Sequence, residues 1–186
     1  IQQAIVAELA ASCDGVASGA DAGAAGYRMT FAIAYIRDFF LSYGILGESM
    51  ETTIAWNKVA LLCRTMTETM EAYSDRYGLS RPVLMYRISQ IYRTEALVYF
   101  YYVQYAPDAN AANHVFDIQA VLRHLIVELG GSVSHHHGVG KIKRDLMQEV
   151  LPDFYRKKLA ATKAMFDRDN LFCLNNAGIG DEWQKI

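Results

Sequence analysis

Three consecutive histidines, His135, His136 and His137, stand in the segment SVSHHHGVGK. Imidazoles titrate near pH 6.5, so they can move protons, donate hydrogen bonds to an anion or ligate a metal. Metal is the weakest of these and none is expected. Adjacent side chains of an extended segment point to alternate faces, and no carboxylate or cysteine lies at ligand spacing. A solvated histidine tract is the plain alternative, although a tag would sit at a terminus. Gly138 and Gly140 allow close approach of backbone to a ligand. Lys141, Lys143 and Arg144 gather positive charge behind the turn, which suits an anionic, phosphorylated substrate.

Two further positions could do chemistry. Arg37, followed by Asp38, interrupts an apolar run and needs a partner. It either pairs with Asp38, Asp14 or Glu48, or faces a cavity as an anion clamp. Tyr99, Tyr101, Tyr102 and Tyr105 crowd one short segment. Such residues usually pack a sheet, but a tyrosine whose pKa is lowered by neighbouring cations can act as a general acid and base.

These residues need elements to hold them. Residues 1–12 read as a short helix and the Gly- and Ala-rich residues 14–26 as a loop, since they lack GxGxxG order after a strand. The run from Tyr27 to Tyr43 is long enough for a mostly buried helix. Residues 45–54 look extended, and a helix with Thr53 as N-cap follows, burying Trp56, Val59, Cys63, Met66, Met70, Tyr73 and Tyr77. Residues 82–105 read as two strands joined near Arg93, with Leu97, Tyr99, Tyr101, Val103 and Tyr105 on one face. Asp108 or Asn110 caps the next helix, which buries Val115, Ile118, Leu122, Leu125 and Leu129. The histidine segment reads as a short strand entering a turn. A helical stretch from about Lys143 to Met165 is broken at Pro152, and the tail from Asp167 lacks periodicity. The expected fold is α+β, an antiparallel sheet covered by helices.

Of the 186 residues, 52% are apolar and 20% charged, which excludes a disordered chain. The net charge of −2 gives no basic field for nucleic acid, so any anion must be held locally. Cys13, Cys63 and Cys173 have no CxxC spacing, and their odd number argues against a disulfide framework. No apolar run is long enough to cross a membrane as a helix. The chain opens at Ile1 without methionine, so it is expected to be a piece of a longer polypeptide.

Several stretches together resemble the C-terminal part of the alkyldihydroxyacetonephosphate synthase family. This is the ether-bond-forming branch of the FAD-linked oxidases of the vanillyl-alcohol-oxidase type. The similar stretches are GYRMTFAIAYIRDFF (26–40), LGESMETTIAWNKVALLCR (46–64), YRISQIYRTEALVYFYY (86–102), GGSVSHHHGVGKIKRDLM (130–147) and MFDRDNLF (165–172). The resemblance implies a cap or substrate domain spanning 1–186, with an extended tail, and FAD held mainly by a domain absent from this chain. It implies a non-redox use of FAD, in which the acyl chain of acyl-dihydroxyacetone phosphate is exchanged for a long-chain fatty alcohol. It also implies Tyr99 as proton carrier, Arg37 as a substrate contact, and His135, His136 and His137 as needed for activity. The segment Leu174, Asn175, Asn176, Ala177 and Gly178 is implied to be linked to activity. There the sequence departs from the family pattern of Gly-Asn-Arg-Asn, reading Cys173-Leu174-Asn175-Asn176. A homodimeric full-length enzyme, peripheral membrane association and residence in a peroxisome or glycosome are implied as well. Two other readings stay open: an FAD-linked 2-hydroxyacid or phenol oxidoreductase, and an orphan cap domain serving as a binding module.

Overall fold

A computed structural model describes residues 1–172. The chain separates into two compact units, Ile1–Tyr43 and the part from Gly44 onward. The first holds helices α1 (Gln2–Ser12) and α2 (Gly19–Leu41). Helix α2 starts well before Tyr27, so most of the expected 14–26 loop is helical. Ala20, Ala22, Ala24 and Ala25 supply helix propensity that outweighs the interspersed glycines. The expectation of a buried helix fails too: α2 has no buried residue, and Tyr27, Phe31, Tyr35 and Phe39 face solvent within this unit. Two helices enclose too little volume to cover so many rings.

The second unit is built on a three-stranded antiparallel sheet of β1 (Ile45–Ala55), β2 (Val83–Ile91) and β3 (Glu95–Tyr105), in the order β1-β3-β2. The β2–β3 hairpin falls where the sequence places it. Strand β1 runs further than expected: Thr53 lies opposite Leu97 in the ladder and caps no helix. A 3-10 turn at Trp56–Lys58 follows, then α3 (Val59–Arg76), which has no side-chain N-cap. Residues TTI are β-branched and fit a pleated surface better than a helix start. Helix α3 ends at Gly78, whose φ of 66° is the left-handed conformation that favours glycine.

Helix α4 (Ala109–Glu128) is capped as expected by Asp108, whose carboxylate accepts from the Ala111 N–H at 2.8 Å. Helices α5 (Arg144–Val150) and α6 (Asp153–Phe166) complete the order, with Pro152 as the N-cap of α6. No strand forms at 132–140. That segment is an irregular loop with left-handed glycines at Gly138 and Gly140, and its amides bond to a side chain of β1.

Period-2 alternation divides the sheet into two faces. Met50, Ile54, Val98, Phe100 and Tyr102 point to one, where Leu62, Met66 and Met70 of α3 and Val115, Ile118 and Leu122 of α4 close a dry core. Tyr99, Tyr101, Val103 and Tyr105 point to the other, which neither helix covers. Along β3 the burial alternates accordingly from Val98 to Gln104. The fold therefore spends one face on stability and leaves one for a site.

Candidate functional site

The central strand sets the position of Tyr99. In the ladder it lies opposite Glu51 of β1 on one side and Arg87 of β2 on the other. Directly opposed residues share a face, so one row across the sheet carries a carboxylate, a phenol and a guanidinium. The Arg87 guanidinium carbon lies 5.1 Å from the Tyr99 ring centre and 5.3 Å from that of Tyr101. This is cation–π distance. A bulge interrupts the β2 register between Ile88 and Gln90, just after Arg87.

The histidines reach the same row from the loop after α4. Gly131 has no room for a Cβ, which would fall 2.6 Å from Thr52 Oγ1 and 2.8 Å from Ile126 Cγ2. This close approach lets the loop turn against β1. The Ser132 N–H then donates to the Thr53 carbonyl at 3.0 Å, and the Thr53 N–H donates to Ser132 Oγ at 2.9 Å. Beyond this anchor the Glu51 carboxylate, with no exposed surface, collects the loop backbone. It accepts from the N–H groups of His135 (2.9 Å to each oxygen), His136 (3.3 Å) and His137 (3.2 Å). Lys143 Nζ stands 3.5 Å from Glu51 Oε1 and 3.1 Å from Ser134 Oγ. The Ser134 hydroxyl donates either to Glu51 (3.1 Å) or to the Gly138 carbonyl (3.0 Å).

With the backbone fixed, the rings gather on Tyr99. His136 stacks on it at 5.9 Å with an interplanar angle of 29°, and His137 meets it edge-on at 5.1 Å. Tyr92 orders the tautomers. Its hydroxyl donates to Gln90 Oε1 at 2.5 Å, so it accepts from His135 Nε2 at 2.7 Å. The Nδ1 atoms of His135 and His136 lie 3.1 Å apart, within hydrogen-bond distance.

Electrostatics follow from burial and partners. Desolvation pushes the Glu51 carboxyl up, but the backbone N–H groups of His135 and His137, the Lys143 charge and the Ser134 hydroxyl outweigh it and hold the pKa at about 2. Lys143 moves down, because loss of water outweighs the pull of Glu51. The carboxylate has more donors aimed at it than the ammonium has acceptors. Partial desolvation lowers His137 below its ordinary value, with Glu51 opposing and His136 and Lys143 adding to the effect.

Tyr99, His135, His136 and His137, named from sequence, are therefore brought together. Arg37 belongs to the first unit, where it is exposed and pairs with Asp38 at 3.6 Å. Leu174, Asn175, Asn176, Ala177 and Gly178 lie outside the described residues. Lys143 faces inward to Glu51 instead of adding free charge to the turn, and Arg144 bonds to Asp145 at 2.9 Å. Glu51, Arg87 and Tyr92 carry no sequence signal of chemistry. The one hint is an acidic residue within the β-branched stretch of β1.

The reason for expecting no metal needs correction. The loop is curled, not extended, and β1 supplies a carboxylate from afar. Ligand atoms of Glu51, His135 and His136 lie within 4.8 Å of one another, close enough to hold an ion. Glu51 already accepts several N–H groups, so an ion there would compete with the loop backbone.

The family model described as FAD-linked oxidases, C-terminal domain, matches residues 2–175. The chain belongs to this family. As an FAD-linked oxidase C-terminal domain it is 42% identical over 171 residues to alkyldihydroxyacetonephosphate synthase of Caenorhabditis elegans, covering 91% of this chain and 29% of that protein. To the enzyme of the same name from Dictyostelium discoideum it is 26% identical over 110 residues, covering 59% of this chain and 18% of that one. The domain thus spans less than a third of the length of either relative. A solved structure of alkyldihydroxyacetonephosphate synthase in crystal form P1 aligns at a TM-score of 0.47 with 20% identity, over 55% of this chain and 18% of that one.

Proposed function

We propose that this chain is the C-terminal cap of an alkyldihydroxyacetonephosphate synthase. The full-length enzyme would exchange the acyl chain of acyl-dihydroxyacetone phosphate for a long-chain fatty alcohol, forming the ether bond of ether lipids. The observation that carries this reading is Tyr99, held between Arg87 and the imidazoles of His136 and His137 on an open sheet face. The 42% identity to the nematode enzyme supports it.

The open face bears aromatic rings and hydrogen-bond donors, which suits one side of a planar isoalloxazine. Among the described residues the site offers nothing for the diphosphate of FAD beyond these groups, so FAD would be held mainly by another part of the protein. When bound, the flavin would provide the electrophile that carries the dihydroxyacetone-phosphate carbon through the exchange.

The chain's own residues would handle protons and orientation. Tyr99 passes its hydroxyl proton to a neighbouring imidazole, takes the proton from the carbon bearing the acyl oxygen, and returns it after the chains have exchanged. The bond to the carboxylate oxygen breaks, the bond to the alcohol oxygen forms, and the alcohol proton ends on the released fatty acid. His136 and His137, packed on Tyr99, orient the phenol and relay that proton. Glu51 holds the loop in register. Arg37 as a substrate contact and the segment 174–178 as linked to activity belong to the proposal on resemblance. A homodimer, peripheral membrane association and a peroxisomal or glycosomal address complete the proposal, on resemblance.

The test is Tyr99→Phe in the full-length holoenzyme. Exchange of radiolabelled fatty alcohol into the lipid should fall by at least about 1000-fold, with flavin content unchanged, since only a hydroxyl is lost. Wild-type turnover would remove Tyr99 from the mechanism. Exchange by the wild type that required an added electron acceptor would favour the oxidoreductase reading instead.

A further inference from the structure

A phosphorylated substrate carries permanent negative charge, so its site needs a permanent cation. Of the three cations that the sequence suggests for this role, Lys143 is committed to Glu51 and Arg144 to Asp145, while Lys141 is exposed on the turn and has no ring contact with Tyr99 among the described residues. Imidazoles are mostly neutral at pH 7 unless a partner holds their proton. Arg87 is different. It is exposed, its contacts among the described residues are with aromatic rings, and the ladder places it directly beside Tyr99. Its guanidinium is in cation–π contact with the Tyr99 and Tyr101 rings, and the residue is exposed, so its N–H groups are within reach of an oxyanion.

We propose that Arg87 is the phosphate-binding residue of this site, presenting a bidentate guanidinium edge to the phosphate of the substrate whose carbon Tyr99 deprotonates. This rests on the exchange reaction proposed above and deepens it. The row across the sheet then has a division of labour. The β2 position takes the phosphate, the β3 position works on the carbon, and the β1 position holds the loop that orients the phenol. A three-carbon phosphoester fits this order, because its phosphate and its reacting carbon lie at opposite ends of a short chain. The proton step stays with Tyr99, and Arg87 makes or breaks no covalent bond.

The experiment compares wild type with Arg87→Met and Arg87→Lys in the full-length FAD-loaded enzyme. It measures KM for acyl-dihydroxyacetone phosphate, KM for the fatty alcohol and inhibition by inorganic phosphate. Loss of a charged hydrogen-bonding partner should raise the first KM by about 10- to 100-fold in Arg87→Met. The alcohol KM should stay put, and inhibition by phosphate should weaken in parallel. Arg87→Lys should recover part of the loss, keeping charge but not the fork. If Arg87→Met does not load FAD, Arg87→Lys carries the same comparison. An unchanged KM with unchanged phosphate inhibition overturns the proposal. So does a fall confined to kcat, which would place Arg87 on the phenol and not on the phosphate. Absence of any chain exchange in the wild type would sink the underlying reading before a variant is compared.

Discussion

Glu51 keeps its charge away from water because three backbone N–H groups of a single loop donate to it, beside the Ser134 hydroxyl and the Lys143 ammonium. The backbone donors cannot rotate away, so the carboxylate and the loop conformation are one unit. The folded pKa of about 2 lies below the ordinary value of 4.5. The resulting stabilisation is fully present above the unfolded value and is lost as pH falls from about 4.5 toward 2. A shift of this size corresponds to roughly 3 kcal/mol at neutral pH. Glu51→Gln should therefore lower the Tm at pH 7, and the gap between variant and wild type should narrow as the melt is repeated between pH 5 and 2. A constant gap across that range would show that the charge contributes nothing. The histidines could be read from sequence because three in a row are rare. Glu51 could not, because it comes from a strand 84 positions before His135 and looks like an ordinary exposed strand residue. Arg87 escaped notice for the same reason: only strand pairing puts it beside Tyr99.

At the level of elements, the site is assembled by a crossing of loop and strand. The turn at Gly131 decides it, since any side chain there meets Thr52 and Ile126. Gly131→Ala should cost about 1–3 kcal/mol by overpacking, read as a lower denaturation midpoint. It should also loosen the amides of His135 to His137 in hydrogen exchange. Unchanged protection would mean that the loop is held by Glu51 alone. Elements with strong periodicity were legible: the β2–β3 hairpin, the amphipathic α4 with its Asp108 cap, and the Met66 and Met70 stripe of α3. The start of α3 was not, because Thr53 suits both a cap and a strand, and pairing with Leu97 decides between them. The loop carrying the histidines resembles a strand in the sequence because Val133 and the histidines look extended. Its hydrogen bonds go to a side chain instead, and no local pattern records that.

For the whole molecule, the two units differ in what holds them. The part from Gly44 onward has a sheet with one face sealed by α3 and α4, so it should fold without the preceding residues. A protein beginning at Gly44 is expected to melt cooperatively by circular dichroism, with a sharp transition. A peptide of residues 1–43 should melt gradually and show weak helicity, because neither α1 nor α2 buries a side chain within that unit. A broad, featureless melt of the longer piece would contradict this division. The aromatic run of α2 misled the sequence reading at this scale. A long apolar helix signals burial, but not against what.

The Ser132 anchor has one more effect. By bonding to both main-chain groups of Thr53, it occupies the outer margin of β1, where a fourth strand would otherwise add. Among the described residues, β2 pairs in the ladder with β3 alone. An extended peptide that lengthens this sheet along β1 would have to stop short of Thr53 or displace Ser132. On the β1 side of the row formed by Glu51, Tyr99 and Arg87, an added strand thus meets a margin already filled at Thr53.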